Sequence, residues 1–327
     1  MNDRAVSILE QYDLSVERTW KGRGAILFEA DGIIYILKEY KGASDRLSFI
    51  ADRLIKIKEN GFSEIEEIIP NKEGSYFCTD YDRTTYIVKR YFGAKECNIR
   101  EKQDCLEAIQ ALGRLHKAMT GIVVGEPYKV DSLPLLYEID KRNAELARVR
   151  KYLKSKGRKS EFELFLQANY DYFYENALAV AEQLAKEDTS GWCKKIEDEQ
   201  TYSHGDYQYH NILMDETGCH IINFEKMAPD NPVKDLYFFM RKLLEKNNWD
   251  LVLGRELLHT YNEVRKLQEE DILQLKYRFL YPEKFRKIVN YYFNSSKSWI
   301  SCKNTEKLES ILQQEEDRNT LIQAIFD

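Results

Sequence analysis

No apolar run in the 327-residue sequence approaches the ~18 residues that a membrane-spanning helix needs, so no segment reads as transmembrane. The start, MNDRAVSILEQYDL, lacks a basic region followed by a long apolar core, and no secretory signal is read there. The expected location is therefore cytoplasmic. Cysteine is sparse: Cys78, Cys97, Cys105, Cys193, Cys219 and Cys302 form no C-x-x-C pair and fall short of the density of a disulfide scaffold, so reduced, structural thiols are expected. His204, His210, Cys219 and His220 lie close in sequence, but their spacing matches no common zinc site. Positive charge is also in deficit. With 49 Lys and Arg against 55 Asp and Glu, the net charge of -6 argues against a general nucleic-acid or anionic-membrane surface, and neither is expected as a partner. The basic run KYLKSKGRK at 151–159 reads as a solvated helix end. No internal repeat, low-complexity tract or Pro/Gly/Ser-rich linker interrupts the chain.

What is present divides the chain. A hydrophobic content of 43% can fill one large core or two smaller ones, and two lobes are expected. GAILFEADGIIYILKEY is a hairpin of two strand-like runs joined at Asp31-Gly32, a dipeptide suited to the positive φ angles of a tight turn. RLSFIADRLIKIKENG predicts a helix with Leu47, Ile50, Leu54 and Ile57 on one face and Gly61 as its stop signal. SYFCTDYDRTTYIVKRYFG predicts a second hairpin ending at Gly93. Residues 1–92 thus read as a lobe with a five-stranded sheet and one helix. Residues 93–327 read as mainly helical, beginning with REKQDCLEAIQALGRLHKAM, where Leu106, Ile109, Ala111, Leu112 and Leu115 fall at helical spacing. Two long amphipathic segments follow between 135 and 187, and another helical block runs from Leu236 onward. Strand-like pieces, NILMD and CHIINFE, appear only around 202–225. The fold class is α+β, with a hinge at Arg90 to Gly93.

In HGDYQYHN, Asp206 and Asn211 have the D-x-x-x-x-N spacing of a kinase catalytic loop, in which the acid orients or deprotonates the attacking hydroxyl and the amide offers a neutral oxygen to Mg²⁺. H-G-D alone is weak, since it also occurs in turns where Asp caps a helix. The octamer followed by a strand is stronger. In CHIINFE, Asn223 and Glu225 are two residues apart, so an extended backbone would turn both to one side. Lys38, in YILKEY, occupies the third strand, where a kinase-fold lysine reaches the α- and β-phosphates, although a lone lysine near a strand end is usually solvated. In KGRGA, Gly22 and Gly24 would let backbone N–H groups approach phosphates, or serve only a turn. Asp45, Asp52 and Glu59 recur at seven-residue spacing opposite the helix's apolar face, and Asp52 is the choice of acid to pair with Lys38. The aromatics of YDYFYENAL could line an acceptor pocket, but such a stripe at helical spacing is more often core.

Together HGDYQYHNIL, INFE, PVKDL and LGRLHKAM resemble the aminoglycoside phosphotransferase and choline kinase superfamily and, within it, the CotS family of spore coat proteins of endospore-forming bacteria. The resemblance runs from the first hairpin to the final helices. It implies a two-lobed protein-kinase-like fold with ATP and Mg²⁺ between a β-rich N-lobe and a helical C-lobe. It implies Asp206 as catalytic base, Asn211 and position 223 as metal ligands beside Glu225, and Lys38 as the phosphate contact. His204 and Asp235 would support the catalytic loop from below, and adenine would meet backbone groups near Arg90, Tyr91 and Phe92. Only Lys226 to Lys234 separate the metal motif from the next D-L, which leaves no room for a regulated activation segment and argues against a signalling protein kinase. Asn223 departs from the pattern, because the superfamily writes this motif Asp-Phe-Glu or Asp-x-Asp. Two amides and Glu225 would hold Mg²⁺ less well than a set containing the expected carboxylate. Two functions therefore stand open. One is an ATP- and Mg²⁺-dependent phosphotransferase acting on a hydroxyl of a small molecule or sugar, associated with the spore coat. The other is a catalytically weakened or dead kinase fold serving as a structural component that meets other coat proteins.

Overall fold

The structure, a computed structural model, describes residues 3–22, 24–124, 133–294 and 303–326. Cys302, one of the expected thiols, and Arg23, inside the KGRGA stretch, lie outside the described residues. The other five cysteines are free. The chain forms two compact units, 1–129 with 199–235 and 130–198 with 236–327. This cut differs from the expected one at 92/93: the helix after Gly93 and the 199–235 segment group with the strand-rich start.

The first unit opens with α1 (Asp3–Leu9), followed by β1 (Val16–Gly22), β2 (Ala25–Ala30), β3 (Ile33–Glu39), α2 (Ser44–Glu59), β4 (Ile68–Ile69), β5 (Cys78–Thr79), β6 (Thr85–Arg90), β7 (Lys95–Glu96) and α3 (Lys102–Ala118). Among the described residues six of these strands make one sheet, in the order β1-β2-β3-β6-β4 with β5 on β6. Sequence patterning anticipated five strands and one helix. It missed the two-residue β4 and the short α1, neither of which is long enough to show a period. The β2–β3 hairpin turns at Asp31 and Gly32, whose φ angles of 52° and 73° are those of a turn that matches strand twist.

Alternation then sorts the strands. Phe28, Ala30, Tyr35, Leu37 and Val88 point to one face and bury against Ile8, Leu9 and Tyr12. Lys38 pairs with Ile87 and Ile36 with Lys89, so both lysines share the opposite face with Ile36 and Ile87. On α2 the predicted face is buried, with Leu47, Ile50, Leu54 and Ile57 at most 3% exposed. Each such side chain is worth about 1.5–3 kcal/mol of gross burial. Arg53 is buried on the same helix, its guanidinium 3.6 Å from the Phe49 ring centre and its Nε donating to Tyr202 Oη at 3.1 Å.

The 199–235 segment adds β8 (Tyr202–Ser203), β9 (Ile212–Asp215), β10 (Gly218–Ile221) and β11 (Ala228–Pro229). β10, β9 and β7 form a three-stranded sheet, and β11 pairs with β8. On α3, Ile109, Ala111, Leu112 and Leu115 are fully buried, and Tyr207 donates its hydroxyl to the Ala108 carbonyl at 2.6 Å, tying the loop after β8 to that helix.

The second unit is helical. It contains α4 (Leu135–Ser155), α5 (Glu161–Leu184), α6 (Trp192–Glu199), α7 (Val233–Lys246), α8 (Leu251–Val264), α9 (Glu269–Leu280), α10 (Glu283–Asn294), α11 (Lys303–Gln313) and α12 (Glu315–Phe326), with α6 and α7 crossing the unit boundaries. A reciprocal cap starts α5: Ser160 Oγ accepts the Glu163 N–H at 3.2 Å, and Glu163 Oε2 accepts the Ser160 N–H at 2.8 Å. Within YDYFYENAL, Tyr170 and Phe173 are core, each 1% exposed with Phe173 stacked on Phe285 at 4.5 Å, whereas Tyr172 is exposed. No helix among the described residues is long and apolar enough to cross a membrane.

Candidate functional site

All the site residues that the sequence singled out belong to the first unit, and most of them converge. The loop after β8 is held from beneath by two buried groups. Asp235 Oδ2 accepts the His204 N–H at 2.6 Å, its Oδ1 accepts the Gly205 N–H at 3.0 Å, and its Oδ2 lies 3.3 Å from His116 Nε2. His204 Nδ1 accepts the Asp206 N–H at 3.1 Å, so its proton sits on Nε2 and is donated to the Ile222 carbonyl at 3.1 Å. Burial lowers the pKa of this imidazole and keeps it neutral. Gly205 is required for two reasons: its φ is 78°, and a Cβ there would lie 2.4 Å from the Lys226 carbonyl oxygen.

With its backbone fixed, Asp206 presents a partly exposed carboxylate. Oδ1 accepts from Gln208 Nε2 at 2.9 Å and Oδ2 from Lys226 Nζ at 3.0 Å. Asn211 follows in a 3-10 turn over 209–211 and returns its Nδ2 to the Asp206 carbonyl at 2.8 Å. Its Oδ1 accepts from Asn223 Nδ2 at 2.7 Å, and Asn223 Oδ1 accepts from Lys38 Nζ at 3.3 Å. A continuous series of polar contacts therefore joins Asp206, Asn211, Asn223 and Lys38.

Asn223 and Glu225 do not meet by strand alternation, as the sequence suggested. β10 ends at Ile221, Asn223 is left-handed at φ 66° and ψ 58°, and residues 224–226 form a 3-10 turn. The turn is set by Glu66, which the sequence reading missed. The 64–66 segment is stapled to the end of β10, with Ile221 N–H donating to Glu64 O and Glu66 N–H to Ile221 O, both at 2.9 Å. Glu66 then accepts the N–H groups of Asn223 at 2.8 Å and Phe224 at 3.0 Å, and Lys89 Nζ at 3.0 Å.

Lys89 is the second residue missed, and its signal lay in register: a lysine two positions from the fully buried Ile87 faces the same way. Its Nζ also donates to Glu225 Oε1 at 2.8 Å, and Lys38 Nζ reaches that same oxygen at 2.9 Å. Burial opposes the charge on Lys89, but Glu66 and Glu225 outweigh it and raise its pKa. Burial likewise opposes the charge on Glu225, and the ammonium groups of Lys89 and Lys38 outweigh it, holding this carboxyl well below the usual range.

The acid partner of Lys38 is thus Glu225, and the choice of Asp52 is corrected. Asp52 lies on the side of α2 away from the buried face, while the residue that α2 turns to the 224–227 turn is Arg46, which donates to the Glu225 carbonyl at 3.3 Å and to the Met227 carbonyl. Gly22 and Gly24 serve the β1–β2 turn, Gly22 opposite Ala25 and Gly24 at φ 69°. At the end of β6 the Arg90 N–H goes to the Glu67 carbonyl at 3.0 Å and the Tyr91 N–H to the Ile34 carbonyl at 2.9 Å, so these two donors are committed within the chain. Phe92 stacks on His220 at 4.5 Å.

The expected metal set does not fit a divalent cation. Mg²⁺ seeks hard, anionic oxygens in open octahedral array. Asn211 Oδ1, Asn223 Oδ1 and Glu225 Oε1 each already accept from a protein N–H, and the charges of Glu66 and Glu225 are matched by Lys38 and Lys89. Among the described residues no group of three or more His, Cys, Asp or Glu is placed to hold a metal ion. Lys38, by contrast, is 27% exposed and suits the oxygens of a phosphate.

A β-sheet start, a helical remainder and this order of lysine, H-G-D-x-x-x-x-N loop and acidic turn define a kinase-like protein of the phosphotransferase superfamily. The chain belongs to the family described as "Spore coat putative kinase YutH", whose model matches residues 5–325. The spore-coat and superfamily resemblance carried by the four motifs therefore holds. Among solved structures, an aminoglycoside phosphotransferase from Alicyclobacillus acidocaldarius is similar at 16% identity and TM-score 0.85, over 98% of this chain and 94% of that one. An AMP-bound spectinomycin phosphotransferase is similar at 15% identity and TM-score 0.60, over 99% and 95%. A choline kinase from Cryptosporidium parvum is similar at 14% identity and TM-score 0.52, over 94% and 91%. At these identities the likeness concerns the fold. No curated protein matches the chain.

Proposed function

We propose that this protein is a kinase-fold component of the spore coat that keeps a nucleotide site around Lys38 but whose phosphoryl transfer is suppressed, its role in the coat being contact with other coat proteins. The observation that carries this reading is the neutral amide of Asn223 at the metal position, with its Oδ1 accepting from Lys38 and its Nδ2 donating to Asn211 Oδ1. Enzymatic phosphoryl transfer is mostly positioning and neutralisation of the charge on the transferred group. Here position 223 supplies an amide where the motif pattern has a carboxylate, and Lys89 is fixed between Glu66 and Glu225. Comparing ATP turnover of the wild type with Asn223→Asp tests the reading: the variant is expected to be faster by roughly tenfold or more. A wild type that turns over ATP as fast as the variant would overturn it.

A second reading, transfer from ATP to a hydroxyl of a small molecule or sugar, is favoured by Asp206. Its carboxylate is partly exposed and oriented by Gln208 and Lys226, as a base for an acceptor hydroxyl would be.

A further inference from the structure

Four charged groups meet where β3, β6, the segment before β4 and the turn after β10 come together, and they divide by what else each one holds. Glu66, 2% exposed, carries two backbone N–H groups besides Lys89, so it cannot leave without stranding buried donors. Lys89, with a side chain 5% exposed, is fixed between Glu66 and Glu225. Lys38 and Glu225 form the accessible half, with side chains 27% and 28% exposed. The Glu225 carboxylate stands on the Lys38 ammonium as a phosphate oxygen would. If it gives up Lys38, it keeps Lys89.

We propose that the site takes a nucleotide polyphosphate as the free anion, by exchange of Glu225 for a phosphate oxygen on Lys38, and that Mg²⁺ adds nothing to its affinity. The proposal rests on the nucleotide reading above. The exchange trades one anionic oxygen for another on the same ammonium, so the cluster is never left with an uncompensated buried charge. Complexing the nucleotide with Mg²⁺ removes two negative charges that Lys38 would meet. In return the chain offers the metal amide oxygens already engaged by N–H donors and a single carboxylate whose Oε1 is already shared by two lysines. Free polyphosphate is therefore held at least as well as its magnesium complex.

Titration calorimetry of the full chain with ATP and with inorganic tripolyphosphate, each in EDTA and in excess Mg²⁺, tests this. The wild type is expected to bind both in EDTA, with Mg²⁺ leaving the affinity unchanged or lowering it. Glu225→Gln, which removes the competitor on Lys38, is expected to tighten binding in EDTA by about tenfold, and Lys38→Met to weaken it by a similar factor. Asn223→Asp, which leaves Glu225 in place, is expected to gain about tenfold from Mg²⁺ where the wild type gains none. If Glu225→Gln fails to fold, the Asn223→Asp comparison still decides. A tenfold or larger gain from Mg²⁺ in the wild type would overturn the proposal and leave the nucleotide reading standing. Absence of binding in both buffers would overturn both.

Discussion

Glu66 and Asn223 stand 157 residues apart in the chain, and Glu66 Oε2 accepts the Asn223 N–H at 2.8 Å. Its other oxygen takes the next N–H, that of Phe224. One carboxylate from the segment before β4 therefore fixes the left-handed turn that presents the motif side chains. It does so from a position 2% exposed, where every lost partner counts.

Replacing Glu66 with Gln leaves one acceptor oxygen where two backbone donors and an ammonium now converge, and turns an N–H₂ group towards one of them. Glu66→Gln is expected to cost about 2–4 kcal/mol in urea unfolding, in line with breaking a buried charged network. A loss below about 1 kcal/mol would show that the turn is held by something else.

Asp206 holds the loop through its backbone and reaches outward with its carboxylate. Asp206→Ala is expected to leave the unfolding free energy within about 1 kcal/mol of wild type. If the protein turns over ATP with any acceptor, the same change is expected to lower that rate by about two or more orders of magnitude. Near-wild-type turnover in the variant would remove Asp206 from the chemistry.

Asp235 sets the acid limit of the loop. Burial opposes its charge, but the hydrogen bond and charge of His116 and the contacts of His204 outweigh burial and lower its pKa. A lowered carboxylate contributes stability above its unfolded pKa and loses it as pH falls through the lowered value. His204 acts in the same direction over a higher range: it stays neutral when folded, so acid favours the unfolded chain once pH drops below the ordinary histidine value. Asp235→Asn is expected to destabilise by about 2–4 kcal/mol at neutral pH, with the gap from wild type closing as pH falls from about 5 towards 2. Urea melts at several pH values check this, and a gap that stayed constant would contradict the assigned ionisation.

The parts of this structure legible in sequence are those set by local chemistry. The Asp31-Gly32 turn and the buried face of α2 each follow from neighbours within a few residues, and each formed as the pattern predicts. The H-G-D motif is spelled locally, but Asp235 and His116, which hold its loop, come from elsewhere in the chain. The pairing of Lys38 was not legible, because helical spacing reveals which way Asp52 points but not which distant acid arrives at a strand. The same limit hid Glu66 and Lys89. The face of Lys89 could be read from its register beside Ile87, but its partners and those of Glu66 could not, lying 23 residues apart in their own pair and 136 from Lys89 to Glu225. Strand alternation failed at Asn223 for a backbone reason, since the chain leaves the strand before the motif begins.

The left-handed backbone at Asn223 has a consequence for descent. Among residues with a Cβ, asparagine and aspartate are the two that tolerate this conformation most readily, and their codons differ by a single base. The step between the neutral and the charged form of the motif therefore meets little resistance from the backbone, and its local cost is the Nδ2 donation to Asn211 Oδ1 that an aspartate cannot make. A single base change can thus alter the charge of this position while the left-handed turn that carries it stays available to the chain.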